Sequence, residues 1–344
     1  MRNYPPPPPP PVGLDEKLWD RSKNVELRKG NIKITGDREL NSLRTVNVGI
    51  EASEIFELGR YKLTIGAGGV VVQGGRSHHF FGGMLTSSVG QIKFTPIANA
   101  TYLLSLASVI ADNGNMKVGL DIIGPNSSLG YRGIGLSGGE SNTFTGDVNI
   151  SRYVRLDLYK TGGAISVLGN LNVREGATVA SYRGTQLGRN VRVLLQSKGQ
   201  AYSKYELRGE HQNDITEKFN QLVVDGKGVI DFFEGGQESS HGLREIIIDD
   251  LDVTAGSYLL VKEWQDGRDH LLVRKSSEHV HDSLGRIEFE NHDTRSVNLR
   301  DYDKDYWEIY ALVPEPTTYG AVFGAAGLSL VLLRGRRFSR YWTV

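Results

Sequence analysis

Two histidine pairs and an acidic triplet are the side chains best suited to bind a metal or move a proton. His78 and His79 lie side by side in GGRSHHFFGG. A zinc site needs a third ligand, and none is adjacent, so an exposed turn ahead of Phe80 and Phe81 is the favoured reading. His279 and His281 alternate in SSEHVHDS. On a strand both would face one side, and with Asp282 they would bind zinc or copper weakly. A solvated loop is the favoured reading there. Asp249, Asp250 and Asp252 in IIIDDLDV form the best acidic cluster. Carboxylates so grouped can hold calcium or serve acid–base work on glycans. On a strand Asp250 and Asp252 share one face, opposite Asp249 and Leu251. A polar outer face accounts for them without a partner; a catalytic role would require Asp231 and an arginine in the same groove.

Other signatures are missing or uninformative. Gly226-Lys227 lacks the glycine five residues earlier that a phosphate loop needs, and no HExxH occurs. Cysteine is absent, which removes disulfides, zinc-thiolate sites and a thiol nucleophile. No catalytic, cofactor-binding or metal-ligating residue is assigned, and the chain is expected not to be an enzyme.

The elements that would position these residues are short strands. The 344 residues include 42 glycines, and only four of the 11 prolines lie outside Pro5–Pro11. Lys and Arg total 40, as do Asp and Glu. The overall balance gives no electrostatic reason to expect nucleic acid as a partner. Runs such as YKLTIGAGGVVVQ, YVRLDLY, VRVLLQS, NQLVVDGKGVIDF and REIIIDDLDV recur between turn residues. Comparable apolar triplets sit roughly 20 to 30 residues apart, a solenoid period. The pattern predicts an all-β chain and fits a parallel β-helix whose inward side chains stack from coil to coil. Glycine steps at Gly68-Gly69, Asn113-Gly114, Gly138-Gly139, Gly162-Gly163 and Asp225-Gly226 would turn the corners. The alternative is an antiparallel β-sandwich, in which Asp-Gly steps make hairpins.

The two ends differ from the body. Residues 1–25 read as a Pro-rich disordered leader, with no basic region leading into an apolar signal segment. A misplaced start codon, a truncated gene or a decayed reading frame is the expected cause. At the other end, Thr317 to Leu333 carries no charge. As a helix it would measure roughly 25 Å, short but usable for a transmembrane span. Arg334, Arg336 and Arg337 follow, and the positive-inside rule places them in the cytoplasm with the bulk exported.

Val313-Pro314-Glu315-Pro316, the apolar run and the arginine cluster together resemble the PEP-CTERM sorting signal. The resemblance implies an exosortase-type processing enzyme, a membrane and an exopolysaccharide as partners, a Gram-negative bacterium that makes such a polysaccharide as source, and membrane anchoring through the C-terminal helix. The extension from Phe338 to Val344 departs from that pattern, as does the missing N-terminal signal. A second resemblance lies in residues 108–150. Asn142-Thr143-Phe144-Thr145-Gly146, followed by a strand, is similar to the core of the passenger-associated repeat of bacterial autotransporters. That family forms right-handed β-helices at the cell surface. Charged residues such as Arg152, Arg155 and Lys160 depart from it, and no translocator barrel follows. The expected organisation is a leader over 1–25, a β-helical domain over 26–310, and a sorting signal over 313–340. The expected function is a structural or adhesin-like envelope or matrix protein. The alternative is a secreted β-helical enzyme acting on polysaccharide.

Overall fold

The structure, a computed structural model, describes residues 15–27, 31–46, 54–73, 77–96, 104–125, 133–209, 214–233, 242–290, 292 and 297–312. Its strands stack into three parallel ladders, here sheets I, II and III, which the chain visits in that order on every coil. Sheet I begins with Asn24–Leu27 and passes through Gln91–Pro96, Gly119–Ile123, Val148–Ser151, Leu171–Arg174 and Arg192–Gln196. It ends in the second halves of Ile215–Asp225 and Arg244–Val253. Sheet II includes Leu104–Leu106, Gly133–Leu136, Arg155–Leu158, Thr178–Ser181, Ser203–Leu207, Lys227–Asp231, Tyr258–Lys262 and Ile287–Phe289. Sheet III, on the third side, runs through residues 38–40, 63–65, 84–87 and 109–110, continues over the middle coils as irregular backbone with the bridge Val167↔Leu187, and resumes in residues 215–219, 244–248 and Asp269–Arg274. With right-handed crossovers between parallel strands, this is the expected parallel β-helix. The β-sandwich alternative is ruled out because every coil-to-coil register is parallel.

Sequence pattern explains the stacking. Side chains alternate across a strand, so one inward position per coil builds a column. In sheet I the column runs Val25, Leu43, Val70, Phe94, Ile122, Ile150, Val173, Leu195, Val224 and Val253. All ten are buried. Each contributes about 1.5–3 kcal/mol through burial. In sheet II the rings of Phe56 and Phe80 stack at 4.4 Å. Coil length varies because loops change at the corners while the registers hold.

Corners use glycine where the backbone demands it. Gly226 has φ +98°, and a Cβ there would lie 2.1 Å from the Ser197 carbonyl oxygen of the preceding coil. Gly226→Ala is therefore expected to cost about 1–3 kcal/mol from backbone strain alone. Urea denaturation reads the loss; an unchanged midpoint would mean that the Ser197 strand can move aside.

Sheet III carries a polar column inside the solenoid. Asn142 accepts from the Ile110 amide at 3.0 Å and donates to the Ser166 carbonyl at 2.9 Å. Ser166 donates to Gln186 Oε1 at 2.6 Å, and Gln186 Nε2 donates to the Lys160 carbonyl at 3.0 Å. Glu217 completes the column. It accepts from Ser181 Oγ at 2.9 Å and from the amides of Gln186 and Leu187 at 3.1 and 3.0 Å. These side chains supply the hydrogen bonds that a regular strand would make. Phe144, from the repeat-like core, is fully buried beside them.

Both ends are closed. Trp19, 6% exposed, joins the core ahead of the first coil, and Glu16 pairs with Arg38. The folded body thus takes in residues 15–25, which had been expected to belong to the leader; residues 1–14 lie outside the described residues. At the far end, Ser277 Oγ and Ser283 Oγ receive the Leu251 and Val253 amides, the latter at 2.9 Å. Sheet III ends in an antiparallel cap, Tyr306–Ala311 lying between Asp269–Arg274 and Val297–Asp301.

The expected transmembrane helix is not upheld, nor are the membrane anchoring and the membrane as partner that followed from it. Among the described residues the α-helix is the single turn Val280–Ser283, and no helix is long and apolar enough to cross a membrane. Four residues rise only about 6 Å, against a hydrocarbon core of about 30 Å. Thr317–Leu333 and the sorting-signal residues Val313, Pro314, Glu315, Pro316, Arg334, Arg336 and Arg337 lie outside the described residues.

Candidate functional site

The histidines and aspartates singled out by spacing do not converge. His78 points into the core, 1% exposed, while His79 points outward. Neighbours on a strand face opposite sides, so they cannot share an ion. His279 and His281 are not on a strand: His279 precedes the helical turn Val280–Ser283, and His281 lies within it. His279 Nδ1 sits 3.0 Å from Asp250 Oδ2. Partial burial acts upward on the Asp250 carboxyl, but hydrogen bonds from Ser277, Gln221 and His279 hold it below its ordinary value. Asp249 falls at the corner between sheets III and I and pairs with Arg274 at 2.9 Å. Asp231 lies on sheet II, paired with Lys204 at 3.0 Å. The acidic triplet and Asp231 therefore occupy different faces. Among the described residues no group of three or more His, Asp or Glu is placed to hold a metal ion.

The GxSxG spacing Gly135-Leu136-Ser137-Gly138-Gly139 forms no nucleophile elbow. Its strand, Gly133–Leu136, leads into a solenoid corner rather than a helix, and Ser137 Oγ contacts Ser105 Oγ at 2.9 Å.

What the fold does bring together is a charged network on the outer face of sheet II. Arg155 is its hub. Its Nε bonds Asp157 Oδ1 at 2.5 Å, its Nη1 lies 3.4 Å from Glu206 Oε2, and its Nη2 donates to Tyr182 Oη. Arg208 Nε reaches Glu206 at 2.7 Å and covers the Phe233 ring at 3.5 Å. Lys204 bridges Glu206 and Asp231. Tyr182 stacks on Tyr159 at 4.0 Å. The residues come from four successive strands, because the parallel register sets Arg155, Thr178, Lys204 and Val229 above one another.

Burial defines what this network can do. Arg155 is 8% exposed, Asp157 7%, Glu206 5% and Asp231 3%. Burial pushes the Asp157 carboxyl up against the opposing pull of Arg155. For Arg155, desolvation acts downward, but Asp157 and Glu206 hold it above its ordinary value. Glycoside hydrolysis needs two carboxyls flanking a bond that the substrate can bring between them. Asp157 and Glu206 instead share one guanidinium in a sealed layer.

The accessible space lies beside the network. A cleft of about 390 Å³ is lined by Lys160, Tyr182, Arg183, Asp214 and the backbone of Gly162, Gly163 and Gly184. Lys160 Nζ donates to the Ser137 carbonyl at 2.9 Å, and desolvation pushes its pKa down to about 8. Cationic and aromatic groups at a concave corner can bind a small anionic or hydroxylated group. Arg155 and Lys160 were legible only as charges out of place in a repeat; alternation with Leu156 and Leu158 puts Arg155 on the outer face, and its contacts with Tyr182 and Glu206 of later coils bury it there.

No family model matches the chain, and no curated protein or solved structure matches it. The β-solenoid rests on the structure, and neither the sorting signal nor the passenger repeat is supported beyond the quoted residues. The exosortase-type partner is accordingly not retained.

Proposed function

We propose that this chain is a non-catalytic β-solenoid with a structural or adhesin-like role outside the cell. A β-solenoid suits extracellular structural and carbohydrate-acting proteins alike, so fold alone does not choose. The observation that carries the reading is the sealing of the carboxylate-rich constellation on sheet II. Asp157 pairs with Arg155 on its own strand, while Arg155–Glu206 and Lys204–Asp231 tie coils together, which favours a staple over a reaction centre. Within the acidic triplet, Asp249 pairs with Arg274 and Asp250 with His279.

Incubation with neutral and acidic polysaccharides tests this, followed by assays of reducing ends and of unsaturated uronide absorbance. No release above background is expected. Cleavage that disappears in folded Asp157→Asn or Glu206→Gln variants would establish the enzymatic alternative.

A further inference from the structure

The corner between sheets I and II carries a row of tyrosines that the network and the cleft leave unused. The sheet II registers Arg155↔Thr178, Thr178↔Lys204 and Ser203↔Gly228 extend back to this corner, and Lys227↔Tyr258 is paired directly. They place Tyr153, Gly176, Tyr202, Lys227 and Tyr258 at one position on five successive coils. Leu259↔Ile287 adds Arg286 on the sixth. Aromatic residues therefore recur on every second coil.

The side chains form a continuous surface. Tyr153 is 43% exposed and Tyr202 39%. A Cβ on Gly176 would lie 2.7 Å from the Tyr153 ring, so the glycine lets that ring lie along the solenoid axis. Tyr202 and Tyr258 meet edge to face with centroids 5.9 Å apart, and their hydroxyls bond at 2.6 Å. Burial and that bond push the Tyr258 phenol up to about 12, so its hydroxyl stays neutral at ordinary pH. Lys227 Nζ stands 5.7 Å from the Tyr202 ring centre and bonds Gln200 at 2.8 Å. Arg286 donates to the Val253 carbonyl at 2.6 Å. Among the described residues neither cation has a carboxylate within ion-pair distance. Arg152 is offset by Glu175 at 3.8 Å, and Glu288 lies near Tyr258.

We propose that this edge binds an extended acidic glycan chain running along the solenoid axis. The inference rests on the adhesin-like reading and names its ligand class. A tyrosine offers an apolar face to the C–H side of a sugar ring and a hydroxyl to the sugar's own hydroxyls. Tyr202 and Tyr258, two coils apart, lean together to a ring spacing of 5.9 Å and form one aromatic platform. At about 4.8 Å per coil, the backbone of Tyr153 lies roughly 10 Å further along the axis from that of Tyr202, the scale of a disaccharide unit in a linear polysaccharide. Lys227 and Arg286 supply the charge that selects a uronate over a neutral sugar. A rigid ladder fixes the spacing in advance, which lowers the ordering cost of binding.

The full chain is titrated calorimetrically with oligogalacturonate and with a neutral cello-oligosaccharide of equal length. The oligogalacturonate is expected to bind more tightly, and more weakly as salt is raised. Tyr202→Ala and Tyr153→Ala should each weaken it by up to about tenfold. Lys227→Gln should abolish most of the preference over the neutral chain. Circular dichroism and unfolding midpoints confirm that each variant is folded. Equal binding by the folded tyrosine variants overturns the proposal, as does a preference for the neutral chain or no binding of either. If Arg183→Ala in the cleft removes binding while the tyrosine variants do not, the glycan site is the cleft. The edge assignment then fails while the adhesin-like reading survives. That reading falls separately, through polysaccharide cleavage.

Discussion

Glu217→Ala is expected to lower stability by about 2–6 kcal/mol, since it orphans two buried backbone donors that cost about 1–3 kcal/mol each. The carboxylate stands at an inward position and replaces ladder hydrogen bonds for Gln186 and Leu187, besides accepting from Ser181. Its charge is an additional cost. Burial pushes the carboxyl up to about 7 from an ordinary 4.5, against the opposing effect of its hydrogen bonds. A raised carboxyl pKa means that the folded state holds the proton more tightly than the unfolded chain. The favourable contribution is complete below the ordinary value and is lost as pH rises through about 7. The shift corresponds to about 3 kcal/mol over that window. Glu217→Gln keeps the shape and removes the titration. Urea midpoints at about pH 5 and about pH 8 should therefore fall for the parent chain and change much less for Glu217→Gln. Parallel pH profiles would show that Glu217 is not the group responsible.

The second large effect concerns the ion pair under the cap. Arg244 is 1% exposed and Asp269 fully buried. The guanidinium grips the carboxylate with two bonds, 2.6 and 2.7 Å, and donates a third to the Phe232 carbonyl at 2.6 Å. Asp269→Ala would leave a buried guanidinium uncompensated, an expected loss of about 3–5 kcal/mol. The double variant Arg244→Met, Asp269→Leu should recover most of it, because two apolar groups need no solvation. Hydrogen exchange would place the opening in Asp269–Arg274 and the Tyr306–Ala311 strand paired with it. If the double variant is as unstable as Asp269→Ala, shape rather than charge sets the cost.

The coil was legible because its signal is local. Val193 and Leu195, or Leu156 and Leu158, alternate as any half-buried strand must, and their recurrence gives the period. Parallel pairing was not legible in the same way. Asp225-Gly226 suits a hairpin as well as a corner, and only the approach of Ser197 shows that it is a corner. Glu217 could have been found: it falls between Ile215 and Phe219 in the inward alternation, where a solvated glutamate should not be. The tyrosine edge could not. Tyr153, Tyr202 and Tyr258 align only after loops of unequal length have been taken out, and sequence spacing does not reveal which residues those loops absorb. The alternation of His279 with His281 fits a strand, and a solvated loop is the favoured reading. The segment instead closes sheet I as a helical turn.

The antiparallel strands at the end of sheet III have a consequence for how copies of this chain meet. A parallel ladder is directional, and its last strand is a template for the first strand of another molecule. Stacked head to tail, such rods would grow without a natural length. Tyr306–Ala311 occupies the edge of Asp269–Arg274 with a strand running the opposite way, and the hydroxyls of Ser277 and Ser283 engage amides of sheet I. Along sheet III the chain carries its own stop, so length is set by the gene rather than by concentration. A rod of fixed length holds whatever lies along its corner at a fixed reach.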